Sequence, residues 1–332
     1  MTDLVTRART IADDVLFPAA AGVDAKGEVP RSHFDLLADE GFYGLADPAA
    51  GVALPDLVAI LEALAGGCLS TTFTWLQHHG LVAGLAAAES PLRERYLPAL
   101  VRGELRAGVA YAGVIPTPPR MRATRVEGGY AFTGVAPFVS GWGLIDLLQL
   151  SGRDGDTVVN AVVEPVAGAR LEVRRLDLVA AQGTSTVGLA LDDYFVPEER
   201  VFSEVPYAAF VTGNTFASRL NGCAPLGLAE RAARLIEATG RADVAAALRT
   251  EQAEVRAALD AGLADPAGLA AARAAGAELA YRSAGALVAA VGSRSVLAGE
   301  HAQRLVREAT FLLVAASRPE IKEGLLERAV RR

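Results

Sequence analysis

The chain has 332 residues, 52% of them hydrophobic, and a net charge of −7. That length can fill two or three packed lobes, and its basic residues are scattered rather than banked, which argues against a nucleic-acid partner. Apolar runs are broken by Arg, Asp or Glu before the roughly 18 residues a membrane span needs. The opening MTDLVTRARTIADDV has no signal-peptide core, so a cytoplasmic protein without a membrane partner is expected.

Heavy use of alanine, the best helix former, points to a mainly helical protein. Residues 1–105 read as helices: PDLVAILEALAGG at 55–67 sets apolar residues at helical spacing, with Pro55 near its start and Gly66-Gly67 at its end. Residues 106–202 change character. The segments at 109–111, 130–133 and 157–163 are β-rich and lie between Gly-containing turns such as Glu127-Gly128-Gly129. Short strands with frequent turns suggest a small barrel or sandwich. Residues 203–332 return to helical periodicity at 226–238, 244–263, 269–291 and 300–315. The order argues for an α+β chain of three domains: helical to 105, β-rich to 202, and a helical bundle to the end. No Gly-x-Gly-x-x-Gly follows a strand, so a Rossmann sheet is not expected. With four His, two Cys and no Cys-x-x-Cys, a metal site is not expected either; Cys68 and Cys223 read as small core residues.

Several segments carry a resemblance. Near the C-terminus, a turn GSRS at 292–295 precedes a helix closing on Arg307-Glu308-Ala309, and Pro319-Glu320-Ile321 follows. Earlier come LLADEGFYGL at 36–45, TTFTWLQHHG at 71–80, and Arg95, Tyr96, Leu97 and Pro98 with Gly103-Glu104. LDDYFVP at 191–197 closes the β-rich part. In order and spacing these resemble the acyl-CoA dehydrogenase family, over almost the whole chain. The resemblance implies that family's fold: helical domain, β domain, helical domain.

It also implies FAD. Family members hold the flavin ring with an aromatic residue and a hydroxyl two positions later, and Phe138 and Ser140 fall at that place. A ring can cover one flavin face and a hydroxyl can donate a hydrogen bond to the flavin; the alternative is an ordinary strand end. The family's diphosphate-binding Arg and Gln, eleven residues apart on one helix, correspond to Arg241 and Gln252. A guanidinium suits a diphosphate, although a solvated helix start would also explain Arg241. Gly292 and Ser293 begin the turn that receives the cofactor from a neighbouring subunit in the family. Ser293 and Ser295 replace glycines there, and Arg294 adds a charge. AGVIPTPP at 112–119 lacks the family's flavin- and substrate-contacting hydroxyls, and Gln182 replaces an Arg ahead of GTST at 183–186.

The family's catalytic base is a Glu in one of two places. Counting from the motifs above and from Ala224-Pro225-Leu226-Gly227, both are alanine here: Ala316 and Ala217. Glu320 and Glu308 match structural acids of the family. His78 and His79 are alternative proton acceptors or buried core histidines. Three readings follow from the resemblance. One is a flavin oxidoreductase acting on an acyl thioester or related small molecule. Another is a base-free subunit lending surface to a related dehydrogenase subunit. The third is a flavin monooxygenase or oxidase on the same fold, which needs no base for the α-proton. A homodimer or homotetramer is expected.

Overall fold

The opening segment alternates charged and apolar residues and winds into one helical rod: α1 (Thr2–Thr10), a π-helical stretch (Ile11–Leu16) and α2 (Phe17–Lys26). The structure, a computed structural model, describes residues 2–330 apart from residue 214. Next come α3 (Arg31–Asp39), α4 (Leu54–Gly67), α5 (Leu69–Ala87) and α6 (Pro91–Val101). Pro55 occupies the first turn of α4, where no intrahelical donor is lost. Cys68 alone, in extended backbone, separates α4 from α5. Ile60, Leu64, Trp75 and Phe42 fill the core between these helices, with Cys68 and Cys223 buried among them as free thiols.

The histidines of this region are part of that core. His78 accepts the Ala107 N–H at 3.1 Å through Nδ1 and lies edge-on to Tyr43, while His79 reaches the Phe42 carbonyl at 3.2 Å. His33 bonds the Thr71 hydroxyl at 3.0 Å. Burial holds all four histidines of the chain below their ordinary range: His33 is lowered, His78 lowered far, and His79 and His301 lowered to about 4. The unfolded chain takes up these protons near pH 6.5. It therefore binds more protons than the native state between that pH and about 4, and stability must fall as pH drops through this window. His79 alone is worth up to about 3 kcal/mol. Melting curves taken above and inside the window are expected to show a marked loss of stability on acidification; a flat profile would contradict the burial assigned to these rings.

The β-rich part forms one sheet from β1 (Ala107–Ala110), β2 (Met121–Val126), β3 (Gly129–Val139), β4 (Leu147–Asp154), β5 (Thr157–Val163), β6 (Leu171–Arg175), β7 (Val187–Pro197) and β8 (Val201–Pro206). Its order is β6-β7-β3-β2-β4-β5-β8, with β1 added in parallel beside β4. The long pair β3–β7 is antiparallel and slips register twice, between Phe132 and Gly134 and between Ala136 and Val139. Such bulges re-aim side chains, and the second one lies at Phe138.

The C-terminal part holds α7 (Tyr207–Gly213), α8 (Thr215–Asn221), α9 (Cys223–Ala238), α10 (Ala242–Ala261), α11 (Pro266–Val291), α12 (His301–Val314) and α13 (Pro319–Val330). Glycines let α9 meet α4 backbone to backbone. A Cβ on Gly227 would run into the Glu62 carbonyl, and one on Gly66 would lie 2.7 Å from the Gly227 oxygen. Arg307 on α12 ties the three parts together. It pairs with Asp24 on α2 and reaches the Val179 carbonyl in the loop after β6.

Candidate active site

Phe138 ends β3 at a bulge with φ +54, a conformation unusual for a bulky residue, and its ring is 68% exposed. Two residues on, Ser140 is buried and bonds the Thr186 hydroxyl at 2.7 Å. Thr186 in turn bonds Thr184 at 2.7 Å, and Thr184 donates to the Ala181 carbonyl at 2.8 Å. Each hydroxyl has one proton. Since Thr184 spends its own on Ala181, it accepts from Thr186, and Thr186 accepts from Ser140. Ser140 therefore offers lone pairs to anything facing it, rather than the donated proton expected from the sequence, because its proton is committed to Thr186.

Backbone bonds lock this ladder in place. Gly141 N–H donates to the Thr184 carbonyl at 2.8 Å, and Trp142 N–H to the Ser185 carbonyl at 3.1 Å. Ala181 and Ser185 both have positive φ, +55 and +48. Strained residues of this kind persist only where surrounding structure over-determines them, and they gather at functional sites. Gln182, where the family has Arg, closes its own loop by accepting the Leu178 N–H at 2.6 Å. Gly183 seats the loop on α2 and α5, with Val23 and Ser70 against it.

The other expected cofactor residues lie away from the sheet, on α10 and at the end of α11. Arg241 caps the start of α10 and is bound in a fork by exposed Asp243, Nε–Oδ1 2.9 Å and Nη2–Oδ2 2.8 Å. Gln252, three turns along the same helix, is buried and donates to the Leu226 carbonyl at 2.9 Å. It borders a groove of about 650 Å³ between α4, α9 and α10. Four of the groove's five arginines, Arg231, Arg234, Arg249 and Arg256, are already paired with Asp13, Glu230, Glu237 and Glu62. Gly292 leaves α11 with φ +75 in open space, which glycine tolerates without strain, and Ser293 beside it is exposed. Arg294 pairs with Glu300 at 3.1 Å.

Ala217 lies on α8 and Ala316 in the turn between α12 and α13, at φ +48; both are solvent-exposed. Glu308 is buried against Arg304, Oε1 to Nη1 2.6 Å, and Glu320 is exposed in the first turn of α13. Beside the two alanines stand side chains the sequence reading did not single out. Arg273 of α11 is buried and donates through Nη1 to the Ser218 carbonyl at 3.0 Å and its hydroxyl at 3.3 Å. Arg318, two residues past Ala316, has its Nη2 shielded with no hydrogen-bond partner. The one signal for Arg273 in the sequence is a lone charge inside the alanine run AARAAGA. Among the described residues no cluster of three or more His, Cys, Asp or Glu could hold a metal.

Residues 2–104 match the family model for the N-terminal domain of acyl-CoA dehydrogenase. A benzylmalonyl-CoA dehydrogenase of Aromatoleum aromaticum is 24% identical over 216 residues, 58% of this chain and 54% of the relative. The oxygenase component of an FADH(2)-dependent resorcinol hydroxylase of a Rhizobium species is 28% identical over 221 residues, 60% of this chain and 49% of the relative. The matches thus span about half the length of these relatives. The structure of butyryl-CoA dehydrogenase from Megasphaera elsdenii superposes with a TM-score of 0.85 at 16% identity, over 100% of this chain and 98% of that one, a likeness of fold. The N-terminal helices thus match the family's model, and the whole chain has the acyl-CoA dehydrogenase fold.

Proposed function

We propose that the protein is an FAD-dependent oxidoreductase acting on an acyl thioester or a related small molecule, with no carboxylate base of its own. The observation that carries this reading is the uncovered Phe138 ring, thrown out by a bulge beside a locked ladder of hydroxyls. An aromatic face left in water is an apolar surface awaiting a partner, and a planar flavin fits it. Phe138 would cover one face of the ring, and Ser140, its own proton given to Thr186, would accept a flavin N–H. Gly292 and Ser293 would approach the cofactor from a neighbouring copy. When bound, the flavin supplies a hydride acceptor or, once reduced, a site for oxygen activation. Ala217 and Ala316 offer no group that takes a proton. A placed base contributes about 10²–10⁴-fold, so the wild-type chain should dehydrogenate acyl-CoAs slowly at best. Anaerobic bleaching of the loaded protein by acyl-CoAs tests the dehydrogenase form of this proposal; oxygen uptake with reduced flavin tests the oxygenase form suggested by the resorcinol hydroxylase relative. A protein inert in both assays would contradict it.

A second reading has its own support. Arg241 pairs with Asp243 and Gln252 donates to the Leu226 carbonyl, so each already has a partner other than a diphosphate. That suits a base-free subunit paired with a catalytic relative, and copurification of such a relative would favour it. Either reading requires association between chains. Val296 (77% exposed), Leu297 and Val314 stand uncovered around the last helices. The protein alone is expected to scatter light as a dimer or tetramer at micromolar concentration; a monomer would count against the homo-oligomer.

A further inference from the structure

Six arginines are buried among the described residues: Arg106, Arg153, Arg219, Arg231, Arg273 and Arg304. Five have a carboxylate partner: Asp35, Asp156, Asp260, Asp13 and Glu308 in that order. Arg273 has none. Its bonds go to the backbone and hydroxyl of Ser218, which are neutral. The groups whose charge acts on it are Cys223, Arg318 and Tyr111, and no acid is among them. Arg318, the one cation acting on it, likewise makes no ion pair among the described residues and keeps Nη2 shielded and unbonded. A buried guanidinium without a counter-charge is costly, and two acting on each other are costlier. Burial, with Arg318 adding to it, pushes Arg273 down to about 10, the direction expected of a cation short of an anion.

The location makes the imbalance informative. Ser218 follows Ala217, and Arg318 stands two residues after Ala316. Both positions where a carboxylate base would sit are alanine, and unpaired positive charge stands beside them. Tyr111, whose ring meets Phe210 edge-on at 6.3 Å, lies within electrostatic reach of both arginines. Two guanidinium groups and a phenol thus act on one another, and no carboxylate is among the groups acting on Arg273. We propose that Arg273 and Arg318, with Tyr111, form an anion pocket that takes a carboxylate carried by the substrate. A guanidinium fork matches a planar carboxylate in two parallel hydrogen bonds. The inference refines the substrate class of the reading given above and rests on it for the thioester part alone.

The test compares the wild-type full chain, with FAD added, and Arg318→Gln, a change at a partly exposed position that spares the fold. Each is titrated with succinyl-CoA, with butyryl-CoA as the neutral counterpart, and with free succinate, inorganic phosphate and sulfate. A charge-assisted pair is expected to give succinyl-CoA an advantage of about 10- to 100-fold over butyryl-CoA, lost in Arg318→Gln. If neither thioester binds but succinate stabilises the wild type and not the variant, the pocket stands and the acyl-thioester reading falls. Equal binding of the two thioesters, a preference that survives Arg318→Gln, no binding by any carboxylate probe, or protection by phosphate or sulfate equal to that by succinate would each overturn the carboxylate pocket.

Discussion

Ala316→Glu is expected to raise the rate of flavin reduction by acyl-CoAs by about 10²-fold, the lower end of what a placed base contributes. The substitution meets little resistance from the backbone. Ala316 already holds φ +48, so its Cβ already bears the left-handed conformation and Glu brings no new clash at that atom. The turn is anchored on both sides, by Arg307 through Asp24 and by Ile321, which is buried. Two effects then act on the new carboxyl group in opposite directions. Desolvation beside flavin and thioester would raise its pKa and make it a better base, while the unpaired Arg318 and Arg273 charges would lower it. The second effect is why the gain is placed at the lower end. Stopped-flow bleaching of the FAD-loaded variant, with Ala316→Gln as the charge-free control, measures it. Bound FAD with no gain over the control would mean that residue 316 does not face the reacting carbon.

Glu308→Ala is expected to cost about 3–5 kcal/mol of stability, as breaking one side of a buried ion pair does. The side chains of Arg304 and Glu308 are only 2% and 5% exposed. Without the acid, Arg304 keeps weak contacts, His301 at 3.3–3.4 Å and the Phe17 ring at 5.8 Å. Burial raises the Glu308 carboxyl and the Arg304 charge opposes that, so the pair is held together against its own desolvation. Replacing both partners by apolar residues should therefore recover much of the loss. Urea denaturation of Arg304→Met, of Glu308→Leu and of the variant carrying both gives the coupling. A single-variant loss below about 1 kcal/mol would show that water reaches the pair.

The elements were legible where local chemistry decides them. The strand expected at 157–163 is β5 residue for residue, and Gly66-Gly67 ends α4 as its sequence implies. Helix starts lie ahead of the apolar pattern. α11 begins at Pro266 rather than 269, and α9 at Cys223 rather than 226, because proline is tolerated in a first turn that the apolar pattern alone does not reveal. The π-helical stretch at Ile11–Leu16 left no mark in that pattern. Of the candidate site, the alanines at 217 and 316 could be read by counting from motifs. The state of Ser140 could not, since its proton is fixed by Thr186, 46 residues away. Arg241 and Gln252 keep the expected spacing, yet what each bonds depends on Asp243 and on the Leu226 carbonyl. The missing counter-charge of Arg273 is visible only when all its neighbours are known.

The central claim is that Phe138 and the Ser140 ladder serve a flavin, and the FAD content of the purified wild-type protein tests it most directly. Flavin absorbance in stoichiometric amount with the chain, retained on gel filtration or restored by added FAD and weakened in Phe138→Ala, is the predicted result. A colourless protein that takes up no FAD, alone and as the isolated oligomer, would contradict it.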